Sequence, residues 1–228
     1  MDRTFITNRR MFLGAGAAAA LLALPACQSL PPLSFTEAIR RLLVLSSERA
    51  FARLTAPGGY WDDAIGRVGF AQLLGARGDV LSRILTSAIF KDRLEDALAD
   101  VAVRGSYRVA PIVADTVRTI GIQNAVDLVR GGPTAATGFL RGNMGMSLVD
   151  AMVPEVGSAL RTAQDPLVGQ VLAALTGVDV PQVARNFSGR IDDAIWNEMG
   201  VEEAAIRSNP RETRDPLLIG VFAGASAL

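Results

Sequence analysis

Apolar residues Phe35, Ile39, Leu42, Leu43, Ala50 and Leu54, together with Ser46, recur at helical spacing, while Arg40, Arg41, Glu48 and Arg53 fall largely off that stripe. The period predicts an amphipathic helix with one face toward a core. Ser34 and Glu37 have capping-box spacing, so the helix is expected to open at Ser34. Ala56-Pro57-Gly58-Gly59 closes it, and Tyr60 to Ala76 is weakly patterned, interrupted by Gly66, Gly69 and Gly75. Asp79 caps a long segment, Val80 to Arg104, striped by Leu81, Ile84, Leu85, Ala88, Leu94, Leu98, Val101 and Ala102. Short helices are expected over Pro111–Thr119 and Ile122–Arg130, parted at Gly121. Gly131-Gly132-Pro133-Thr134 is the clearest punctuation, with Gly131 suited to a left-handed helix exit and Pro133 to the first turn of the next helix. Further helices are predicted over Thr134–Arg141, Ser147–Thr162, Pro166–Leu175, Pro181–Met199, Val201–Ser208 and Thr213–Phe222. No segment alternates with period two between hairpin turns. The expected fold is all-α, a single multi-helix domain with little or no sheet.

The first residues follow a different pattern. Arg9 and Arg10 precede an apolar run of 14 residues, Met11 to Leu24. As a helix it would reach about 21 Å, short of the hydrocarbon core of a bilayer. The run ends at Leu24-Pro25-Ala26-Cys27, which resembles the lipobox of bacterial lipoproteins. Arg9-Arg10-Met11-Phe12-Leu13 also resembles the twin-arginine export motif, and an ordinary basic leader fits equally well. The chain is therefore read as a signal peptide over residues 1–26, a lipidated tether over 27–33 carrying Leu30-Pro31-Pro32-Leu33, and a helical domain over 34–228. Acyl chains on Cys27 would hold the protein on a membrane of the cell envelope, facing the periplasm. Gln28 is not the Asp that retains some lipoproteins at the inner membrane, which favours an outer-membrane destination.

Charge and composition narrow the chemistry. The chain has 23 basic and 23 acidic residues; removing residues 1–26 takes away Asp2, Arg3, Arg9 and Arg10 and leaves 20 and 22. A chain so balanced lacks the basic face that nucleic acid requires. There is no His, and acylation would consume the sole Cys, so the usual zinc ligands and His- or Cys-based nucleophiles are missing. No metal and no cofactor is expected. The serines have no G-x-S-x-G elbow.

Several segments together resemble a bacterial family known as domain of unknown function 4197. They are Pro57-Gly58-Gly59, the run Gly131 to Thr137 with Phe139 and Arg141, Pro154, and the closing pairs Glu202-Glu203, Ile206-Arg207, Asn209-Pro210, Leu217-Leu218 and Val221-Phe222. The resemblance implies a helical, exported, usually lipid-anchored protein, and carries no activity with it. Two positions depart: Thr213 stands where the family usually has Arg, with Arg214 one place later, and Ala99-Asp100 stands where members tend to carry Asn-Arg.

Three clusters are candidate sites. The turn Arg130, Gly131, Gly132, Thr134, Thr137 and Arg141 reads either as an anion cradle at a helix start or as a helix joint with Thr134 or Thr137 as cap. Asp192, Asp193, Glu198, Glu202 and Glu203 form the densest acidic stretch. Arg190 with Asp193 and Glu203 with Arg207 have the spacing of surface ion pairs, and the alternative is a carboxylate-dependent envelope hydrolase built on Asp193, Glu202 and Glu203. Arg207-Ser208-Asn209-Pro210 reads as a locked corner or a polar groove floor, with Arg207 in reach of neighbouring helix carbonyls. Phe187, Ile195, Trp196 and Met199 would line a groove or fill the core. The expected partners are the membrane and an apolar ligand or envelope protein. The expected role is a non-enzymatic binding or structural module.

Overall fold

The computed structural model describes residues 32–57, 59–61, 64–65, 88–162 and 180–223. The signal segment with Cys27, the stretch Asp79–Ser87 and the helix expected over Pro166–Leu175 lie outside them. Helix α1 spans Pro32–Leu54. Its predicted stripe is the buried face: Ile39, Leu42, Leu43, Ser46, Ala50 and Leu54 are all fully enclosed. The helix opens at Pro32, not at Ser34, because proline's fixed φ and missing N–H suit a first helical position. Glu37 accepts from Arg41 one turn on, at 2.9 Å.

Helix α2 covers Ala88–Thr119 without a break at Pro111. The inner stripe extends past the expected end through Val109, Val113 and Val117, so packing continues across the proline. Pro111 is exposed, and the carbonyl it frees belongs to Tyr107, itself 61% exposed, where water can satisfy it. Arg40, off the α1 stripe, closes the far end of α2 by donating to the carbonyls of Val117, Arg118 and Ile120.

Helices α3 (Ala125–Arg130), α4 (Ala135–Met144) and α5 (Ser147–Thr162) follow. Gly145, at φ +54°, ends α4 with its N–H on the Arg141 carbonyl. Helix α6 runs unbroken over Val180–Ser208, where two helices parted at Gly200 were expected. A Cβ on Gly200 would lie 3.2 Å from Thr134 Cγ2, so this glycine permits close approach of the α4 start and does not end a helix.

The single helix expected over Thr213–Phe222 is replaced by a 3-10 turn, Pro210–Thr213, and a short helix α7, Pro216–Leu218, that winds on in wider π-type geometry over Ile219–Ala223. Arg214 between them is left-handed, at φ 56°. Asp215 is the α7 cap, accepting from the N–H groups of Leu217 and Leu218 at 2.8 and 3.2 Å.

No strand occurs among the described residues, and the all-α expectation holds. Helix α6 is central, packing against α5, α1, α4 and α2, while α2 also lies on α5 and α1. Phe187, Ile191, Ile195 and Met199 of α6 join the α1 stripe in one apolar core. No described helix is long and apolar enough to cross a membrane.

Candidate functional site

The C-terminal half of α6 meets the Gly131–Thr134 turn through two charged side chains. Glu203 is fully buried, and its carboxylate accepts from the N–H groups of Ala136 and Thr137 at 3.0 and 2.7 Å. These are free donors of the first turn of α4, where a negative charge also meets the positive end of the helix dipole. Four residues on, Arg207 donates to Glu203 at 2.8 Å and to the carbonyls of Leu128 and Val129, at 2.8 and 3.1 Å, at the end of α3. Its guanidinium also lies over the Phe222 ring, 4.8 Å from the centroid. One dyad therefore closes both helix ends of the turn.

This geometry decides between the two readings of the turn. It is a helix joint, and the anion in its cradle is the chain's own Glu203. Three expectations are corrected. Neither Thr134 nor Thr137 caps α4 with its side chain, because Glu203 already occupies that place. Gly131 is extended, at φ −67° and ψ 176°, not left-handed; a Cβ there would sit 2.6 Å from Ala135 Cβ. Glu203 and Arg207 are not a surface pair, their side chains being 0% and 10% exposed.

The acidic stretch is dispersed among separate partners. Asp193 pairs with Arg141 at 2.6 Å, not with Arg190. Glu202 faces α1, 3.8 Å from Arg49 and 3.5 Å from Arg53, which also holds Glu198 at 3.2 Å. Buried Asp192 accepts from Trp196 Nε1 at 2.8 Å and from Arg141 at 3.3 Å. Burial pushes its carboxyl above the ordinary aspartate range, against the downward pull of the Trp196 bond and the Arg141 charge. A raised folded value means that the native state binds the proton more tightly, so this contribution to stability is complete below the unfolded value and is lost as pH rises through the folded one. Asp192→Asn should therefore gain stability relative to the parent as pH rises from 4 to 8, as measured by urea unfolding. A constant difference over that range would count against it.

Of the other candidates, Arg130, Gly132 and Asn209 are exposed, whereas Pro210 is buried under the final helix. Asn209 gives no side-chain cap. The corner is locked by Thr213, whose hydroxyl donates to the Pro210 carbonyl and accepts from the Asp215 N–H. Thr213, where the resemblance leads one to expect arginine, is thus a turn-forming residue. Ala99, the other departure, is buried in the core and Asp100 is exposed.

A groove runs along α6, as one of the two readings of Phe187, Ile195, Trp196 and Met199 expected, but its open positions are others. From Ile191 to Gly200 this helix is buried except at Asp193 and Asn197. With Arg190 before them and Val201 after, these positions form one open strip. A cleft of about 610 Å³ separates it from Thr134, Thr137, Gly138 and Arg141 of α4, and a second of about 230 Å³ from Tyr60, Trp61, Ala64 and Ile65. Asp193 and Asn197 line both. Phe187 and Trp196 each border one cleft, whereas Ile195 and Met199 belong to the core alone. A legible signal existed: positions 190, 193, 197 and 201 trace one helical face. No group of three or more His, Cys, Asp or Glu residues suited to a metal ion occurs among the described residues.

No curated protein and no solved structure matches the chain. A family model described as a protein of unknown function (DUF4197) matches residues 29–223, and the chain belongs to that family.

Proposed function

We propose that the protein is a lipoprotein held by acyl chains on Cys27 at a membrane of the bacterial cell envelope, facing the periplasm. Its helical body is a non-enzymatic binding module that works through the α6 groove. The observation that carries the binding part is the open strip on an otherwise enclosed central helix, walled on both sides. A helix this deeply packed has no structural need for a bordered cleft along its one free face. Acid and base groups must converge on one reacting centre. The carboxylates of the hydrolase alternative instead turn to different partners: Asp193 to Arg141, Glu202 to α1, and Glu203 into the α4 start.

The anchor is tested by Cys27→Ser, which should abolish fatty-acid labelling and move the protein from the membrane pellet to the supernatant. One acyl chain binds a bilayer marginally and two hold it firmly, so loss of all chains should be nearly complete in effect. An unchanged pellet and label would overturn the lipoprotein reading. Turnover of a substrate that disappears with a single carboxylate variant would overturn the non-enzymatic one.

A further inference from the structure

We infer that the tether end of the helical body is itself a membrane-docking surface: the α2–α3 turn and the start of α7, gathered beside the first turns of α1, rest on the headgroup boundary of a phospholipid bilayer. This rests on the reading of Cys27 as acylated. Five residues lead from Cys27 to Pro32, where α1 starts. Fully extended, they reach about 17 Å, so the start of α1 stays within that distance of the acylated residue.

The fold decides what lies at that end. Arg40 donates to the carbonyls of Val117, Arg118 and Ile120, which sets the α2 terminus beside the third turn of α1. Arg41 pairs with Asp215 at 3.0 Å, and this brings α7 to the same level. Helix α6 runs antiparallel to α1, because Arg49 meets Glu202 while Arg53 meets Glu198. Arg53 lies about 30 Å along α1 from Pro32, so the clefts beside Asn197 stand well away from the tether end.

The segments gathered there carry no charge. Residues 119–126 and 216–223, and the α1 start over 32–36, contain no Asp, Glu, Lys or Arg, in a chain of which 20% is charged. Gly121, Gln123, Asn124, Pro216 and Gly220 are exposed, and Ile120, Leu217 and Ile219 are half-buried. Val126, at 39%, is among the few large apolar residues left open. The flanks of the body differ: Glu48 and Arg53 stand exposed on α1, and Arg104, Arg108 and Asp115 on α2. Laying a flank on the bilayer would draw those charges out of water, whereas the end presents only apolar and neutral polar groups. An open apolar patch edged by polar residues is a usual mark of such a contact. The acyl chains and this end would hold the bilayer together, as two attachments.

Acylation would consume the sole cysteine, so one introduced thiol can be labelled alone. Full-length protein with an environment-sensitive fluorophore on Gln123→Cys or on Gln182→Cys is placed in phosphatidylcholine nanodiscs that contain nitroxide lipid. Gln182 is exposed in the first turn of α6, toward the opposite end. The label at 123 should shift to the blue and lose most of its emission to the nitroxide, and the label at 182 should do neither. A contact made without charge should survive about 0.5 M salt, in which exposed charges are screened. Gly121→Glu with Gly220→Glu adds two charges to the end, at positions where a Cβ meets open space. This variant should keep its fatty acid and lose the quenching at 123. Ala52→Glu with Gln182→Glu, at exposed positions away from the end, should leave the quenching unchanged. Circular dichroism checks each variant's fold.

An unquenched label at 123 on acylated protein would overturn the inference, and so would equal quenching at 123 and 182. Quenching that survives the two added charges would also overturn it, because the end would then lie near the lipid without resting on it. Quenching lost in salt would assign the contact to charged groups elsewhere. A blue shift without quenching that grows with the number of copies per disc would make the end an interface between copies. Fatty-acid labelling of the same samples separates the two readings: an unlabelled Cys27 removes the anchor and this inference with it, whereas a labelled Cys27 with an unquenched 123 removes the docking end alone.

Discussion

Replacing Glu203 with alanine is expected to lower the free energy of unfolding by about 3–5 kcal/mol, the usual cost of removing one partner from a buried ion pair. The loss has two parts. The Ala136 and Thr137 N–H groups are left without an acceptor in a closed environment, and Arg207 keeps its charge with only carbonyls and the Phe222 ring to meet it. Glu203→Gln should fall between variant and parent, because an amide oxygen still accepts from one N–H while the attraction to Arg207 and to the helix dipole is lost. The double variant with Arg207→Met should be less destabilised than the two single losses added together, because the second change removes the charge that the first one stranded. Urea unfolding with a shared slope measures the parent and the four variants. Additive losses would show that the dyad does not act as a unit.

Phe187→Ala should be of similar size, about 3–5 kcal/mol, through lost burial and the cavity left behind. Phe187 is 2% exposed and serves two surfaces, the core on one side and the smaller cleft on the other. Its removal should therefore enlarge that cleft as well as weaken the fold. The measurement is again chemical unfolding. A loss below about 1 kcal/mol would mean that the site collapses around the smaller side chain.

The sequence carried the helices whose burial is one-sided. In α1 most of the fully enclosed positions were readable, because a single period governs about 20 residues of packing; Ala38, equally enclosed, was not among them. What it misplaced were the junctions. Pro111 and Gly200 are helix breakers by local preference, yet both lie inside long helices, since the stripes on either side of them pack against the same neighbours. Local propensity is worth about 1–3 kcal/mol at such a position, and continuous core packing exceeds it. The i, i+4 spacing of Glu203 and Arg207 was visible. Their burial was not, because the groups that make it tolerable lie 66 to 79 residues earlier in the chain. The groove suffered from the same blindness: Asn197 has no motif around it, and it matters through the walls that the fold raises on both sides.

The antiparallel pairing of the first helix with late partners has a kinetic consequence. Arg49 and Arg53 wait for Glu202 and Glu198, and Arg41 for Asp215, which is 174 residues away. As the chain is synthesised from its N-terminus, α1 can pack on α2 and α3 first and meets α6 only when nearly all of the chain has emerged. Contacts of such separation make folding slow for an all-helical protein. Final closure of the core over α1 is thereby delayed until the end of synthesis.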